Sequence, residues 1–170
     1  ARIGSDAWRT RADALVLAAE VELGRAGPSL VKRADSIAEE LDRLGLGDNA
    51  AVLRMHAVRV LVRRGEHATA ATRLRGIRLT ARTPLNVRLV ARTTRVELER
   101  ARGHRAAALT QARRGLDEFH AWQSTFGSLD LQTSVVGRGW QLAADGLTLA
   151  VSTRRPEVIF EWSERARMLA

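Results

Sequence analysis

A regular spacing of glycine-containing turns is the feature that most constrains how this chain folds. Gly27, Gly65 and Gly103 lie thirty-eight residues apart, and each follows a segment with apolar residues at helical spacing. A fixed period of this length, with two helices per unit, is typical of stacked helical hairpins, in which neighbours bury the face that each cannot bury alone. The alternative is an ordinary helical bundle whose turns share this spacing by coincidence.

The composition supports an all-helical chain. Ala, Leu and Arg dominate, aromatic residues make up only 4% of the chain, and Tyr is absent. These abundant residues are strong helix formers, while the β-branched and aromatic enrichment of a sheet protein is missing. Pro28, Pro84 and Pro156 each open a helical pattern, a position where proline's missing N–H costs nothing. We predict an all-α fold without a β-sheet, an α-solenoid of about four antiparallel hairpins and eight helices.

The length of 170 residues suits a single domain. The turns predict four hairpins, at residues of about 6–45, 48–82, 84–122 and 129–170. The chain begins without an initiator Met, so we expect it to be a fragment of a longer chain. Because it shows no secretory signal, and no apolar run of the ~20 residues that a bilayer span requires, we expect a cytoplasmic protein.

Apolar stripes predict which sides of the helices are buried. Trp8, Leu15 and Leu23 fall, with Ala12 and Ala19 between them, on one stripe of the first helix. The fourth helix is predicted from about Glu66 to Arg82, with Ile77 facing inward. The four tryptophans are predicted to lie in the core or between hairpins: Trp8, Trp122, Trp140 and Trp162.

A stripe of small residues predicts close packing of the seventh helix. Gly139, Ala143, Gly146 and Ala150 recur at steps of four, three and four residues. A glycine costs roughly 1 kcal/mol relative to alanine inside a helix, so a close contact with another helix should offset it.

Positive charge is concentrated in the middle of the chain. The net charge is +9, Lys32 is the only lysine, and from Arg54 to Arg114 sixteen arginines accompany three glutamates. Such a face raises the encounter rate with an anionic partner. Codon usage in a GC-rich genome is the simpler explanation for the preference for Arg over Lys.

Five arginines are candidate partner-binding residues. Arg88, Arg92 and Arg95 project from one side of the predicted fifth helix, and Arg59 and Arg63 do the same one hairpin earlier. In one interpretation they line a basic groove, because the guanidinium fork suits carboxylates. In the other interpretation, the aliphatic parts of these side chains cover the edge of the apolar contact between helices, and their guanidinium groups stay in water.

No pattern in the chain indicates a reactive centre. The absence of Cys excludes a disulfide scaffold, a thiolate zinc site and a thiol nucleophile. The four histidines, at positions 56, 67, 104 and 120, include no pair at the i, i+4 spacing of metal ligands. We therefore predict that this segment is not an enzyme and has no catalytic residue, metal or cofactor.

Two sets of residues resemble known families. The step from Gly65 to Ala70, repeated from Gly103 to Ala108, resembles the turn and second helix of tetratricopeptide repeats. The C-terminal part is similar to the helical region that precedes the CHAT domain, a caspase-like protease module, in actinobacterial proteins. That second resemblance covers residues of about 115–170 and is carried by four runs: 126–131, 137–143, 146–150 and 155–165.

The resemblance implies a non-catalytic protein-interaction scaffold, the regulatory or partner-docking arm of a CHAT-domain protease. The catalytic His and Cys of that family lie in the CHAT domain, so no catalytic residue carries over to this chain. We expect a protein or peptide partner of acidic character, and no membrane partner. The alternative is a nucleic-acid-binding or transcription-regulator domain that uses the basic central helices.

Overall fold

The computed structural model describes residues 2–123 and 133–167, and these residues form eight α-helices and no β-strand. The predictions of an all-α class and of eight helices are confirmed. The chain divides into two compact units at Thr83–Pro84. The single-domain organisation stays a prediction. No helix in the described ranges combines the length and the apolar character needed to cross a membrane.

The first unit consists of four helices joined by short turns. They are α1 (Arg2–Glu22), α2 (Pro28–Arg43), α3 (Gly47–Arg63) and α4 (His67–Gly76). α1 packs against α2 and α3, α2 packs against α3, and α3 packs against α4. This is the contact pattern of stacked hairpins, in which each first helix also meets the first helix of the next hairpin. The core includes Leu17, Val21, Leu30, Ala34, Ala38, Leu41, Leu53, Ala57 and Val60.

The second unit repeats this arrangement. Its helices are α5 (Leu85–Ala101), α6 (Arg105–Gln123), α7 (Thr133–Thr153) and α8 (Pro156–Arg167). α5 packs against α6 and α7, α6 packs against α7, and α7 packs against α8. The core includes Leu89, Val96, Ala112, Leu116, Phe119, Leu142, Leu149 and Trp162. The predicted start of the seventh helix at Leu129 and the run 126–131 lie outside the described residues.

Four corners between helices are closed by the same backbone motif. Gly24, Gly45, Gly65 and Gly103 all have a positive φ of 74 to 86°. At each corner the glycine N–H bonds to the carbonyl three residues earlier, and the next N–H bonds to the carbonyl five residues earlier. This is the Schellman motif, whose left-handed residue is glycine because a Cβ is disfavoured there. Of the three glycines that define the predicted period, Gly65 and Gly103 therefore end helices, as predicted.

Gly27 does not belong to this set, and the prediction of an even period is corrected accordingly. Gly27 is the N-cap of α2 with a φ of −64°, and Gly24 holds the left-handed position at that turn. The left-handed residues between the two helices of successive hairpins are Gly24, Gly65 and Gly103, separated by forty-one and thirty-eight residues. At the corner between α7 and α8, Arg154 adopts the same conformation, with a φ of 56°.

The fourth helix is shorter than predicted. α4 ends at Gly76, and Ile77 is already extended with a ψ of 106°. In the following loop the Thr83 hydroxyl accepts from the Thr80 N–H, and the Thr80 hydroxyl accepts from the Arg82 N–H. Hydroxyl side chains that bond nearby backbone groups compete with helix formation. Ile77 lies at helical spacing from the apolar residues of α4, but it is not part of the helix.

The predicted buried side of the first helix is wrong. The residues of α1 in the core are Leu17 and Val21, while Trp8, Leu15 and Leu23 are 71–79% exposed. At 100° per residue, the predicted stripe lies about half a turn around the helix from the buried one. Because α1 has apolar residues on both sides, periodicity alone does not show which side faces α2 and α3.

The tryptophans are divided between core and surface. Trp162 is fully buried and Trp122 is half-buried, whereas Trp8 and Trp140 are 71% and 50% exposed. The prediction of a core or inter-hairpin position is thus wrong for Trp8 and Trp140, whose side chains are exposed.

The small-residue stripe of α7 has the predicted function. A Cβ added to Gly146 would overlap the indole ring of Trp162 on α8, and one added to Gly139 would lie 3.3 Å from the ring of Phe119 on α6. Gly115 on α6, which no sequence pattern indicated, accommodates Leu142 in the same way. A Cβ added to Gly115 would lie 2.6 Å from Cδ1 of Leu142. These glycines let helices approach until large side chains contact the backbone.

Candidate partner-binding surface

Arg59 and Arg63 bind α1 instead of lining an open groove. Arg59 is only 2% exposed, and its two terminal nitrogens donate to the two carboxylate oxygens of Glu22, at 2.5 and 3.1 Å. The Arg63 guanidinium donates to the carbonyl of Val21, in the last turn of α1. The Val21 carbonyl also accepts from the Gly24 N–H at 3.0 Å, so Arg63 uses the second acceptor position of this oxygen. The two side chains therefore hold α3 to the end of α1.

Arg88 and Arg92 converge on one carboxylate of α6. Arg92 donates from Nε and Nη2 to Oε1 of Glu118, at 3.0 and 2.5 Å, and from Nη1 to Gln111, at 2.8 Å. Arg88 Nε lies 3.3 Å from Oε2 of Glu118, an ion-pair contact that lacks hydrogen-bond geometry. We call Arg88, Arg92, Arg95, Gln111 and Glu118 the Glu118 cluster. It contains three guanidinium groups and one carboxylate.

Arg95 is the member of the Glu118 cluster whose charge is not satisfied. Its side chain is half-buried, and it makes no hydrogen bond or ion pair within residues 2–123 and 133–167. Burial lowers the pKa of Arg95 below its usual value, the nearby Arg92 lowers it further, and Glu118 partly opposes them. Desolvation and a like charge both disfavour a cation, so this site would be stabilised by one more anion.

The arrangement suits a carboxylate from another molecule. The guanidinium groups of Arg88 and Arg95 lie on the same side of α5, one turn either side of Arg92, whose nitrogens Glu118 and Gln111 occupy. Arginine binds carboxylates through paired, charge-assisted hydrogen bonds, which are about twice as strong as neutral ones. The cluster therefore offers a binding position for an acidic side chain or a C-terminal carboxylate.

Elsewhere in the basic middle segment, acids from outside that segment pair with the arginines. In the first unit Asp42, Glu22 and Asp35 pair with Arg54, Arg59 and Arg73. In the second unit Asp145 and Glu161 pair with Arg100 and Arg113. The folded chain thus offsets much of the charge that the linear sequence concentrates there.

A second charged network, between α6 and α8, was not predicted. Arg113 donates to both carboxylate oxygens of Glu161, at 2.8 and 3.0 Å, and Arg165 donates to Glu161 at 3.0 Å and to Asp117 at 3.0 Å. Both guanidinium groups lie 6.0 Å from the ring centre of Trp162. The i, i+4 spacing of Glu161 and Arg165 was the available signal. This network joins the two helices around the buried indole.

The first unit has a cleft of about 260 Å³, lined by Asp35, Arg54, Arg73, Gly76 and Ile77. Arg73 is already paired with Asp35 at 2.6 Å, and Arg54 is paired with a carboxylate of α2. Its cations are therefore satisfied within the unit, in contrast to Arg95.

The part of the chain that the structure describes contains no group of three or more His, Asp or Glu side chains arranged to hold a metal ion. The residues 137–139, which resemble a phosphate-binding loop in composition, lie within α7.

The chain was compared with protein-family models, curated proteins and solved structures, and none of them matches it. The functional interpretation of the surface therefore depends on the geometry of its own residues.

Proposed function

We propose that this chain is a non-catalytic helical-repeat scaffold that binds a protein or peptide partner, and that the Glu118 cluster receives an acidic group of that partner. The observation that carries the proposal is Arg95, a half-buried guanidinium beside Arg92 with no anion of its own among the described residues. A bound carboxylate would restore the charge balance that the fold leaves incomplete at this position.

The pairing of the other central arginines favours a protein partner over nucleic acid. Phosphate-backbone binding needs many accessible cations, but Arg59, Arg73, Arg92 and Arg113 are engaged by carboxylates of the same chain. A partner that supplies one or two carboxylates in a defined geometry matches the Glu118 cluster better.

The test is titration of a fluorescein-labelled peptide of alternating Glu and Gly residues, with a free C-terminal carboxylate, into the protein, followed by fluorescence anisotropy. Replacing Arg95 with Gln should weaken binding about tenfold, which corresponds to roughly 1.4 kcal/mol for one charge-assisted contact. Arg88→Gln should weaken binding in the same direction.

The matched control is Arg105→Gln. Arg105 is exposed in the first turn of α6, away from Gln111 and Glu118, and its removal lowers the net charge by the same amount. Binding that weakens equally in Arg95→Gln and Arg105→Gln would show nonspecific attraction to net charge and contradict the site. Circular dichroism of each variant verifies that the helices are retained.

The finer proposal is that the scaffold is the regulatory or docking arm of a CHAT-domain protease. It is supported by the resemblance of the C-terminal part, whose runs 137–143, 146–150 and 155–165 include the Gly146–Trp162 contact between α7 and α8. The natural coding sequence around this segment provides the test. A caspase-like region with its His and Cys in the same chain is expected, and a DNA-binding module there would contradict the proposal.

Nucleic-acid binding is the second candidate, and it is favoured by the charge of the middle segment, where sixteen arginines accompany three glutamates. A salt titration with duplex DNA and single-stranded RNA distinguishes it. This function predicts tight binding at low salt that weakens steeply as salt rises. An absence of binding at low salt would reject it.

A further inference from the structure

The first helices of the hairpins (α1, α3, α5 and α7) have two apolar faces in a common register. Counting back from the left-handed corner residue, we define the leading face by the positions twelve and five residues before it. The trailing face is defined by the positions fourteen and seven residues before it. The corner residues are Gly24, Gly65, Gly103 and Arg154.

In the first unit, a trailing face packs on a leading face. The trailing positions of α1 are Thr10 and Leu17, and the leading positions of α3 are Leu53 and Val60. All four are buried, and Leu17, Leu53 and Val60 belong to one core cluster. The contact between α1 and α3 is therefore a contact between these two faces.

The second unit makes the same contact with different residues. The trailing positions of α5 are Leu89 and Val96, and the leading positions of α7 are Leu142 and Leu149. All four are at most 4% exposed and share one core cluster. The same pairing of a trailing face with a leading face thus occurs once in each unit.

The leading face of α1 is left open. Its defining positions, Ala12 and Ala19, are exposed, and the large side chains around them are Trp8, Leu15 and Leu23, which are 71%, 71% and 79% exposed. On α3 and α7 the same face is buried against the preceding first helix. A water-facing side of a repeat usually carries polar side chains, whereas this exposed face of α1 is apolar.

The trailing face of α7 is partly open. Trp140 is 50% exposed and Val151, near the other end of the face, is 55% exposed. Leu147 between them is half-buried and packs against the core of the second unit. On α1 and α5 the equivalent positions are buried against the next first helix. An exposed apolar stripe that includes a Trp is typical of a protein-binding surface.

We propose that these two open faces bind each other between copies of the chain, with the leading face of α1 in one molecule packed on the trailing face of α7 in a second. We commit to a second copy as the occupant because the chain makes the trailing-on-leading contact in both units and exposes one face of each kind. The resulting interface is head-to-tail, with different surfaces from the two partners. This inference is independent of the acidic-partner function of the Glu118 cluster.

The test is analytical ultracentrifugation of the 170-residue chain over a range of concentrations. The wild type should increase in mass with concentration. Leu15→Arg and Val151→Arg should each weaken association at least tenfold, since an arginine buried in an apolar contact must lose its hydration. A wild type that stays monomeric at all concentrations would overturn the proposal and assign the open faces to a different partner.

Mixing the two variants makes the test specific for the pairing. Leu15→Arg keeps an intact trailing face on α7, and Val151→Arg keeps an intact leading face on α1, so an equimolar mixture should form a dimer that neither variant forms alone. A mixture that remains monomeric would contradict the head-to-tail arrangement. Ser152→Arg adds the same single charge as Val151→Arg at an exposed position beside the trailing face and should leave association unchanged. Asp13→Arg, at an exposed position of α1 outside the leading face, changes the charge by two units, one more than Leu15→Arg, and should also leave association unchanged.

Discussion

At the scale of single residues, two glycines of α7 have opposite relationships to their surroundings. Gly146 faces the indole of Trp162, which occupies the space that a Cβ would take, whereas Gly137 has no atom of the described residues within 4 Å of that space. Both lie in the same helix, so the intrinsic preference of the backbone for alanine over glycine is the same at the two positions. What differs is only the neighbouring side chain.

We predict opposite signs for the same substitution at these two glycines. Gly146→Ala should lower the free energy of unfolding by about 1–2 kcal/mol, because overpacking costs more than the gain in helix propensity. Gly137→Ala should raise it by about 0.5–1 kcal/mol. Urea denaturation of both variants and the wild type measures the difference. Stabilisation by Gly146→Ala would contradict the close contact between α7 and α8.

At this scale the sequence was informative about glycines but not about tryptophans. A glycine inside a helix has a free-energy cost, so the glycines in the small-residue stripe of α7 predict close packing from sequence alone. A tryptophan is compatible with a core or with an exposed binding face. Trp8 and Trp162 could therefore not be distinguished by residue type, although one is exposed and the other is fully buried.

At the scale of the element, α6 and α8 are joined by the carboxylate of Glu161. The hydrogen bond from Arg113 is the main cause that lowers the pKa of Glu161, and Arg165 lowers it further, while burial partly opposes them. Because the folded pKa lies below the ordinary value of 4.5, folding is favoured by the ionised form. This contribution is present at pH above about 4.5 and is lost as the pH falls through the lowered pKa.

Replacing Glu161 with Gln should therefore have a pH-dependent effect. We expect a loss of up to about 1 kcal/mol at pH 7, the range measured for partly exposed ion pairs. The difference from the wild type should shrink as the pH falls from about 5 to 3, since the wild-type carboxylate then loses its charge as well. Denaturation curves at several pH values give this comparison.

Glu164→Gln is the matched control, because Glu164 lies on the same helix and its one ion pair within the described part of the chain is with the exposed Arg167. It should change stability little at any of these pH values. A difference between Glu161→Gln and the wild type that does not vary with pH would contradict the role of the ionised carboxylate.

The elements themselves were predictable where turn chemistry and periodicity agreed. Pro28 and Pro156 begin α2 and α8 as predicted, and Gly65 and Gly103 close corners. The end of α4 was missed because hydroxyl-to-backbone bonds in the following loop depend on where Thr80 and Thr83 lie after folding. The burial of α1 was assigned to the wrong face because a helix with two apolar faces has no preferred side until its neighbours are placed.

At the scale of the whole molecule, the linear distribution of charge differs from the folded one. The basic middle segment predicted an extended cationic surface, but carboxylates from outside it, such as Asp35 and Glu22, pair with its arginines in the folded chain. Sequence could identify the five candidate arginines but not their partners. Only their environment distinguishes Arg95, which lacks an anion among the described residues, from the buried and paired Arg59.

The central claim is that each first helix has two apolar faces, of which α1 buries the one containing Leu17 and exposes the one containing Trp8. Acrylamide quenching of tryptophan fluorescence tests it most directly, in two variants that keep only Trp8 or only Trp162, with the other tryptophans replaced by Phe. At dilute concentration Trp8 should be quenched strongly and Trp162 weakly. A shielded Trp8 in a dilute, monomeric chain would show that α1 buries the opposite face and would contradict the account.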